Sequence, residues 1–210
     1  MPAVKQRNHR WIWFAWILEG VLIPEIWIAF AEETGIDALR ATTREVPNYD
    51  TLMTQRLALL DEHGLTLPSI QKVISRLSPL PGAAQFLQQL RSDYQVVILS
   101  DTFYEFAMPL MVQLGMPTLL CHRLEVSPEG RITGYRLRQE DPKRHAVQAF
   151  SRLNYRIFAA GDSYNDTSML AEADAGFLFK APANVIEEFP QFTATEDYNV
   201  LRQLIDNAAG

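Results

Sequence analysis

The chain has 210 residues, is 48% hydrophobic and 21% charged, and carries a formal net charge of −6. That balance excludes a disordered chain, a collagen-like repeat and a disulfide scaffold, and it allows one full core with a small inserted subdomain. The acidic charge speaks against nonspecific nucleic-acid binding, and a lone cysteine, Cys121, cannot make an internal disulfide and fits a reducing cytoplasm.

Three of the four tryptophans, Trp11, Trp13 and Trp16, fall close together near the N-terminus. Residues 11–18 read as a buried, aromatic-rich strand ending at Glu19-Gly20. Lys5, Arg7 and Arg10 before this apolar run, with Ala29-Phe30-Ala31 after it, also have the outline of a signal peptide and its cleavage site. Glu19, Pro24 and Glu25 interrupt the run, which stays short of the roughly 18 apolar residues that a membrane span needs. No membrane partner is expected.

The stretch 24–78 contains no clear strand. Residues 25–34, 49–63 and 69–77 read as helices separated by Gly35, Pro47, Gly64 and Pro68. This predicts a helical cap at 24–78, inserted into a core formed by 1–23 and 79–210. Pro79-Leu80-Pro81-Gly82 marks the return to the core. Residues 82–90 then read as a helix with Ala83, Phe86, Leu87 and Leu90 on one face. Strands follow at 94–100, 118–121, 155–160 and Ala175–Phe179, each a short continuous apolar run of the kind buried on both faces of a parallel sheet. Helical patterns at 104–114, 143–153, 167–173 and 197–208 alternate with them. Residues 123–137, around Pro128-Glu129-Gly130, read as a hairpin flap. The alternation predicts an α/β fold with a doubly wound, mostly parallel sheet.

Ligands of such sheets bind beyond the carboxyl ends of the strands. Those ends carry Glu19-Gly20, Ser100-Asp101-Thr102 and Gly161-Asp162-Ser163-Tyr164-Asn165-Asp166, and Lys143 opens a helix after Asp141-Pro142. A hydroxyl, an ammonium, several carboxylates and a glycine suit a phosphate held with a divalent metal, because hard cations take oxygen ligands.

In this order the motifs resemble those of the haloacid dehalogenase superfamily of phosphatases. Leu18-Glu19-Gly20-Val21-Leu22-Ile23-Pro24-Glu25-Ile26-Trp27, Leu99-Ser100-Asp101-Thr102-Phe103-Tyr104-Glu105, Asp141-Pro142-Lys143-Arg144 and Ala160-Gly161-Asp162-Ser163-Tyr164-Asn165-Asp166-Thr167 look more closely like the phosphoserine phosphatases that also transfer phosphate to homoserine. The resemblance implies Mg²⁺, a phosphoserine substrate, homoserine as a possible acceptor, and room for a homodimer. By the same resemblance Glu19 is the general acid/base, with its backbone carbonyl on the metal. Asp162 is a metal carboxylate supported by Asp166. Ser100, Asp101, Lys143 and Asn165 bind the phosphoryl group, and Glu25 and Arg56 grip the amino and carboxylate ends of the amino acid. Charge logic agrees for the last pair.

In the family the first motif supplies a nucleophilic aspartate; here that position is Ile17. Isoleucine has no lone pair for attack and none for a metal, and losing a nucleophile costs about 10⁴ to 10⁶ in rate. Two readings stand. One is a protein that keeps the pocket and binds without turnover. The other is a shifted reading frame: a Trp codon followed by an Ile codon contains GAT, an Asp codon, and clustered tryptophans suit out-of-frame translation. A phosphatase for another small phosphate ester is a further alternative.

Overall fold

The structure, a computed structural model, describes residues 11–42, 45–46 and 48–210; Lys5, Arg7, Arg10 and Pro47 lie outside them. In chain order the first elements are β1 (Ile12–Trp16), α1 (Ile26–Thr34), α2 (Tyr49–Glu62), α3 (Leu67–Ile74), α4 (Ala83–Asp93), β2 (Gln95–Phe103) and α5 (Tyr104–Gln113). Then come β3 (Thr118–Val126), β4 (Ile132–Arg136), α6 (Pro142–Ser151), β5 (Arg156–Gly161), α7 (Thr167–Glu172), β6 (Ala175–Phe179), α8 (Ala183–Glu188), β7 (Thr193–Thr195) and α9 (Tyr198–Ala209).

The strands lie in the order β4-β3-β2-β1-β5-β6-β7. The pairs β1/β2, β1/β5, β5/β6 and β6/β7 are parallel, and β3/β4 is antiparallel. This is the mostly parallel α/β sheet that the alternating pattern predicts. The chain divides into two compact units. One holds 11–17, Gln85–Leu99 and Asp141–Gly210, and the other holds Leu18–Ala84 and Ser100–Glu140.

In the first unit β1 is paired on both sides, with Trp16 opposite Ile98 of β2 and Ala160 of β5. Phe14, Ala15 and Trp16 have no exposure, as expected of a strand covered on both faces. The Trp16 ring packs against Phe14, Phe86 and Phe179 at centroid distances of 5.1, 5.2 and 5.8 Å. Trp13 stacks on Phe150 at 4.6 Å. The indole Nε1 atoms of Trp13 and Trp16 are buried without an acceptor. An unsatisfied buried donor costs about 1–3 kcal/mol, so this strand packs well but is poorly satisfied.

In the second unit the described part of 24–78 is helical, with a 3₁₀ turn at Asp37–Arg40 between α1 and α2. Ala29-Phe30-Ala31 lies inside α1, where Phe30 and Ala31 are buried. No helix among the described residues is long and apolar enough to cross a membrane. The strand expected at 118–121 and the first run of the expected hairpin form a single strand, β3, which pairs with β4 from Arg123 to Val126. The alternating polar residues at Arg123 and Glu125 change the appearance of the run without ending the strand, because one face of an antiparallel pair tolerates them. The short α8 and β7 have no counterpart in the expected elements, since six and three residues are too few for a periodic signal.

Candidate active site

In the first unit the loop after β5 is built around Asp166, which is fully buried. Its Oδ2 accepts the backbone N–H groups of Asp162 and Ser163, both at 3.0 Å, and the Ser163 hydroxyl at 2.9 Å. Its Oδ1 accepts from Lys143 Nζ at 2.6 Å. A Cβ at Gly161 would stand 2.6 Å from Asp166 Cγ, closer than real Cβ contacts, so only glycine lets this carboxylate turn back under the loop. Lys143 is buried rather than a solvated helix-start lysine. Pro142 at the first position of α6 and Asp141, held at φ 40° and accepting from the Ser168 hydroxyl at 3.0 Å, set its entry.

Asp162 and Ser163 are half-buried and Asn165 is exposed on the same loop. One step past the end of β1, Ile17 is 5% exposed, an apolar side chain at a strand end. Asp166 uses both oxygens on ammonium, N–H and O–H donors, which gives it a supporting place behind the loop. Among the described residues no three His, Cys, Asp or Glu side chains gather as a metal cage. A carboxylate at Asp162 with backbone carbonyls still fits Mg²⁺, which uses one or two carboxylates and completes its shell with phosphate and water.

The second unit carries the other candidates. Gly20, at φ 76°, turns the chain sharply after Glu19 and donates to the Ile23 carbonyl at 2.9 Å. This lets the Glu19 carboxylate accept from the Ile26 N–H at 3.0 Å, one of the unpaired donors at the start of α1. Glu25, exposed, immediately precedes that helix. Ser100 is buried, and its Oγ accepts from the Thr102 N–H at 3.3 Å. Asp101 Oδ1 lies 3.8 Å from Nε2 of the buried His122. His122 Nδ1 accepts the Arg138 N–H at 3.1 Å, so in the neutral ring the proton sits on Nε2, toward Asp101.

Arg56 is the least expected arrangement. It is 8% exposed on the buried face of α2, with Leu52, Met53 and Leu60. Nη2 donates to the Ala41 carbonyl at 2.8 Å, and the guanidinium lies over the Trp27 ring at 4.4 Å. Nε is buried with no acceptor. Burial pushes its pKa down to about 10, against the raising fields of Glu19, Tyr49 and Glu25. At neutral pH it is therefore a cation with an unanswered donor. Tyr49, two turns earlier on the same helix, donates to the Asp101 carbonyl at 3.2 Å. Burial and the Asp101 carboxylate push the Tyr49 pKa up, so the hydroxyl stays protonated. Burial, with the Glu105 carboxylate, likewise pushes Cys121 up to about 12, which leaves that thiol inert.

Tyr49, Met53, Trp27 and His122 join the expected residues. The signal for the first two was present: 49, 53 and 56 share one face of a helix, and a charged residue on an apolar face is the informative exception. His122 could be found only from the tertiary pairing.

The haloacid dehalogenase-like hydrolase family matches residues 24–171. The chain is 66% identical over 186 residues to phosphoserine phosphatase ThrH of Pseudomonas aeruginosa, covering 89% of this chain and 91% of that one. It is also 66% identical over 186 residues to a phosphoserine phosphatase of Pseudomonas syringae pv. tomato, covering 89% of this chain and 78% of that one. A solved phospho-aspartyl intermediate analogue of phosphoserine phosphatase has the same fold, with a TM-score of 0.76 at 21% identity, covering 94% of this chain and 99% of that one. The family match begins after Ile17 and Glu19. Sequence, sheet order and relatives agree that this chain belongs to the haloacid dehalogenase-like hydrolase family.

Proposed function

We propose that the chain is a phosphoserine phosphatase in all but its nucleophile. On this reading it binds O-phosphoserine and turns it over very slowly, with phosphate transfer to homoserine as a second activity of the same residues. The observation that carries the substrate is Arg56, a buried guanidinium with an unanswered Nε–H that suits a carboxylate. Glu25, whose field reaches Arg56, suits the ammonium of the same amino acid. The two relatives at 66% identity carry the name of that activity.

On this reading Lys143 neutralises phosphoryl charge, held in place by Asp166. Ser100 and Asn165 donate to the phosphoryl oxygens, and Asp101 shapes the turn beside them. Glu19, oriented by the Ile26 N–H, moves the proton of the leaving or attacking oxygen. Asp162 and the Glu19 carbonyl would hold Mg²⁺, which supplies charge neutralisation for the phosphate. Residues 24–78 are the cap, and the protein is placed in the reducing cytoplasm. A homodimer is compatible with these roles.

The test is calorimetric binding of O-phosphoserine to the chain as it stands and to Arg56→Met. The parent is expected to bind and the variant to lose binding by about 100-fold, the scale of a removed charged pair of hydrogen bonds. No binding by the parent sinks the reading. Arg56→Met should also gain about 1–2 kcal/mol of stability, because a buried charge without its partner is replaced by an apolar chain. The pH dependence has a definite sign. With its pKa lowered in the fold, Arg56 binds its proton less tightly when folded, so the parent's stability rises with pH from about 10 upward.

A second reading is favoured by the two unsatisfied indoles of β1. It holds that the frame shifts before Leu18 and that the cellular protein carries aspartate at position 17. Sequencing the gene across codons 1–18 decides it.

A further inference from the structure

Tyr135 of β4 has no part in the reading above, yet it touches the helix that carries Arg56. Its hydroxyl donates to the Asp50 carboxylate in the first turn of α2. Its ring meets Tyr49 edge-on at 5.9 Å and Phe103, at the end of β2, at 6.3 Å. Tyr49 in turn donates to the Asp101 carbonyl. At the far end of α2, Arg131 pairs with Asp61 at 2.7 Å, and beyond it the Leu67 N–H donates to the Gly130 carbonyl at 2.8 Å. The β3–β4 hairpin therefore lies along α2 and fastens it at both ends. Arg56 sits between the fastenings, two turns after Tyr49.

We propose that Tyr135 is a positioning residue: through Asp50 and Tyr49 it clamps the start of α2, fixes where Arg56 is presented, and so sets how firmly the carboxylate of a phospho-amino acid is gripped. Arg56 then does not swing with a loose helix, and the carboxylate meets a guanidinium already in place. The ligand part rests on the phosphoserine reading; the clamp does not.

The experiment uses the full chain, Tyr135→Phe and Tyr135→Ala. Binding of O-phosphoserine and inorganic phosphate is measured by calorimetry, and amide hydrogen exchange is followed along α2. Tyr135→Phe loses one exposed charge-assisted hydrogen bond and should weaken phosphoserine binding about threefold. Tyr135→Ala also loses the ring contacts and should weaken it about tenfold. Exchange in the first turns of α2 should quicken by like amounts, while phosphate binding stays constant. Unchanged exchange in Tyr135→Ala overturns the clamp. Equal losses for phosphoserine and phosphate overturn the positioning role, since they signal general loosening. A parent that binds phosphate but not phosphoserine defeats the substrate reading instead, and exchange alone then judges the clamp.

Discussion

Two neighbouring strands of the first unit, β1 and β5, are parallel, in register and almost equally buried, yet they end in opposite chemistry. β5 runs through Ala159 and Ala160 to Gly161 and opens into a loop whose carboxylate, Asp166, is satisfied by four donors. β1 runs through Phe14 and Trp16 to Ile17, leaving two indole N–H groups without acceptors. Strand position thus makes a functional edge available and does not supply the function. Small residues let β5 admit a polar loop from behind, whereas large rings fill β1 and leave an alkyl group at its end.

The sharpest way to break the contrast is Ile17→Asp. It places a carboxylate oxygen at the strand end and, on the proposed function, should raise phosphate release from phosphoserine with Mg²⁺ by about 10³-fold or more. It should also lower stability without ligand by about 1–3 kcal/mol, because a carboxylate enters a buried position. No gain in release would mean that other parts of β1 are also unfit for turnover.

Asp166→Ala attacks the satisfied side. It strands the buried Lys143 ammonium and three loop donors, and the urea midpoint should fall by the equivalent of about 3–5 kcal/mol. A loss below about 1 kcal/mol would show that water replaces the carboxylate easily. Gly161→Ala comes next: the added methyl group meets Asp166 Cβ at 2.4 Å and must displace the anchored carboxylate, so about 2–3 kcal/mol is expected. The smallest effect belongs to Trp16→Phe. Removing an unanswered N–H offsets the lost ring volume, so stability should change by less than about 1 kcal/mol. A loss above about 2 kcal/mol would reveal a partner for that indole.

Much of the fold was legible because its signals are local. The apolar runs at β1, β2, β5 and β6 and the helical faces of α4 and α9 depend only on spacing, and their boundaries agree within about three residues. The short α8 and β7 exist because neighbours pair with them, as Phe177 and Leu178 do with Thr193 and Ala194. The site divides in the same way. Gly161–Asp166, Lys143, Ser100 and Glu19 stand out by order along the chain. Their environments do not: Lys143 beside Asp166, His122 facing Asp101, and Tyr135 on Asp50 join residues 23, 21 and 85 positions apart.

The amino-acid sequence determined the fold class, the order of the motifs and the isoleucine at position 17, because periodicity and residue type are properties of the chain itself. Only the tertiary structure decided that Lys143 is paired and buried, that Arg56 keeps an unanswered donor, and that the β1 indoles are unsatisfied. Burial and hydrogen-bond satisfaction depend on what folds against a side chain. The same lysine or tryptophan is ordinary in water and consequential once its solvent has been replaced by protein.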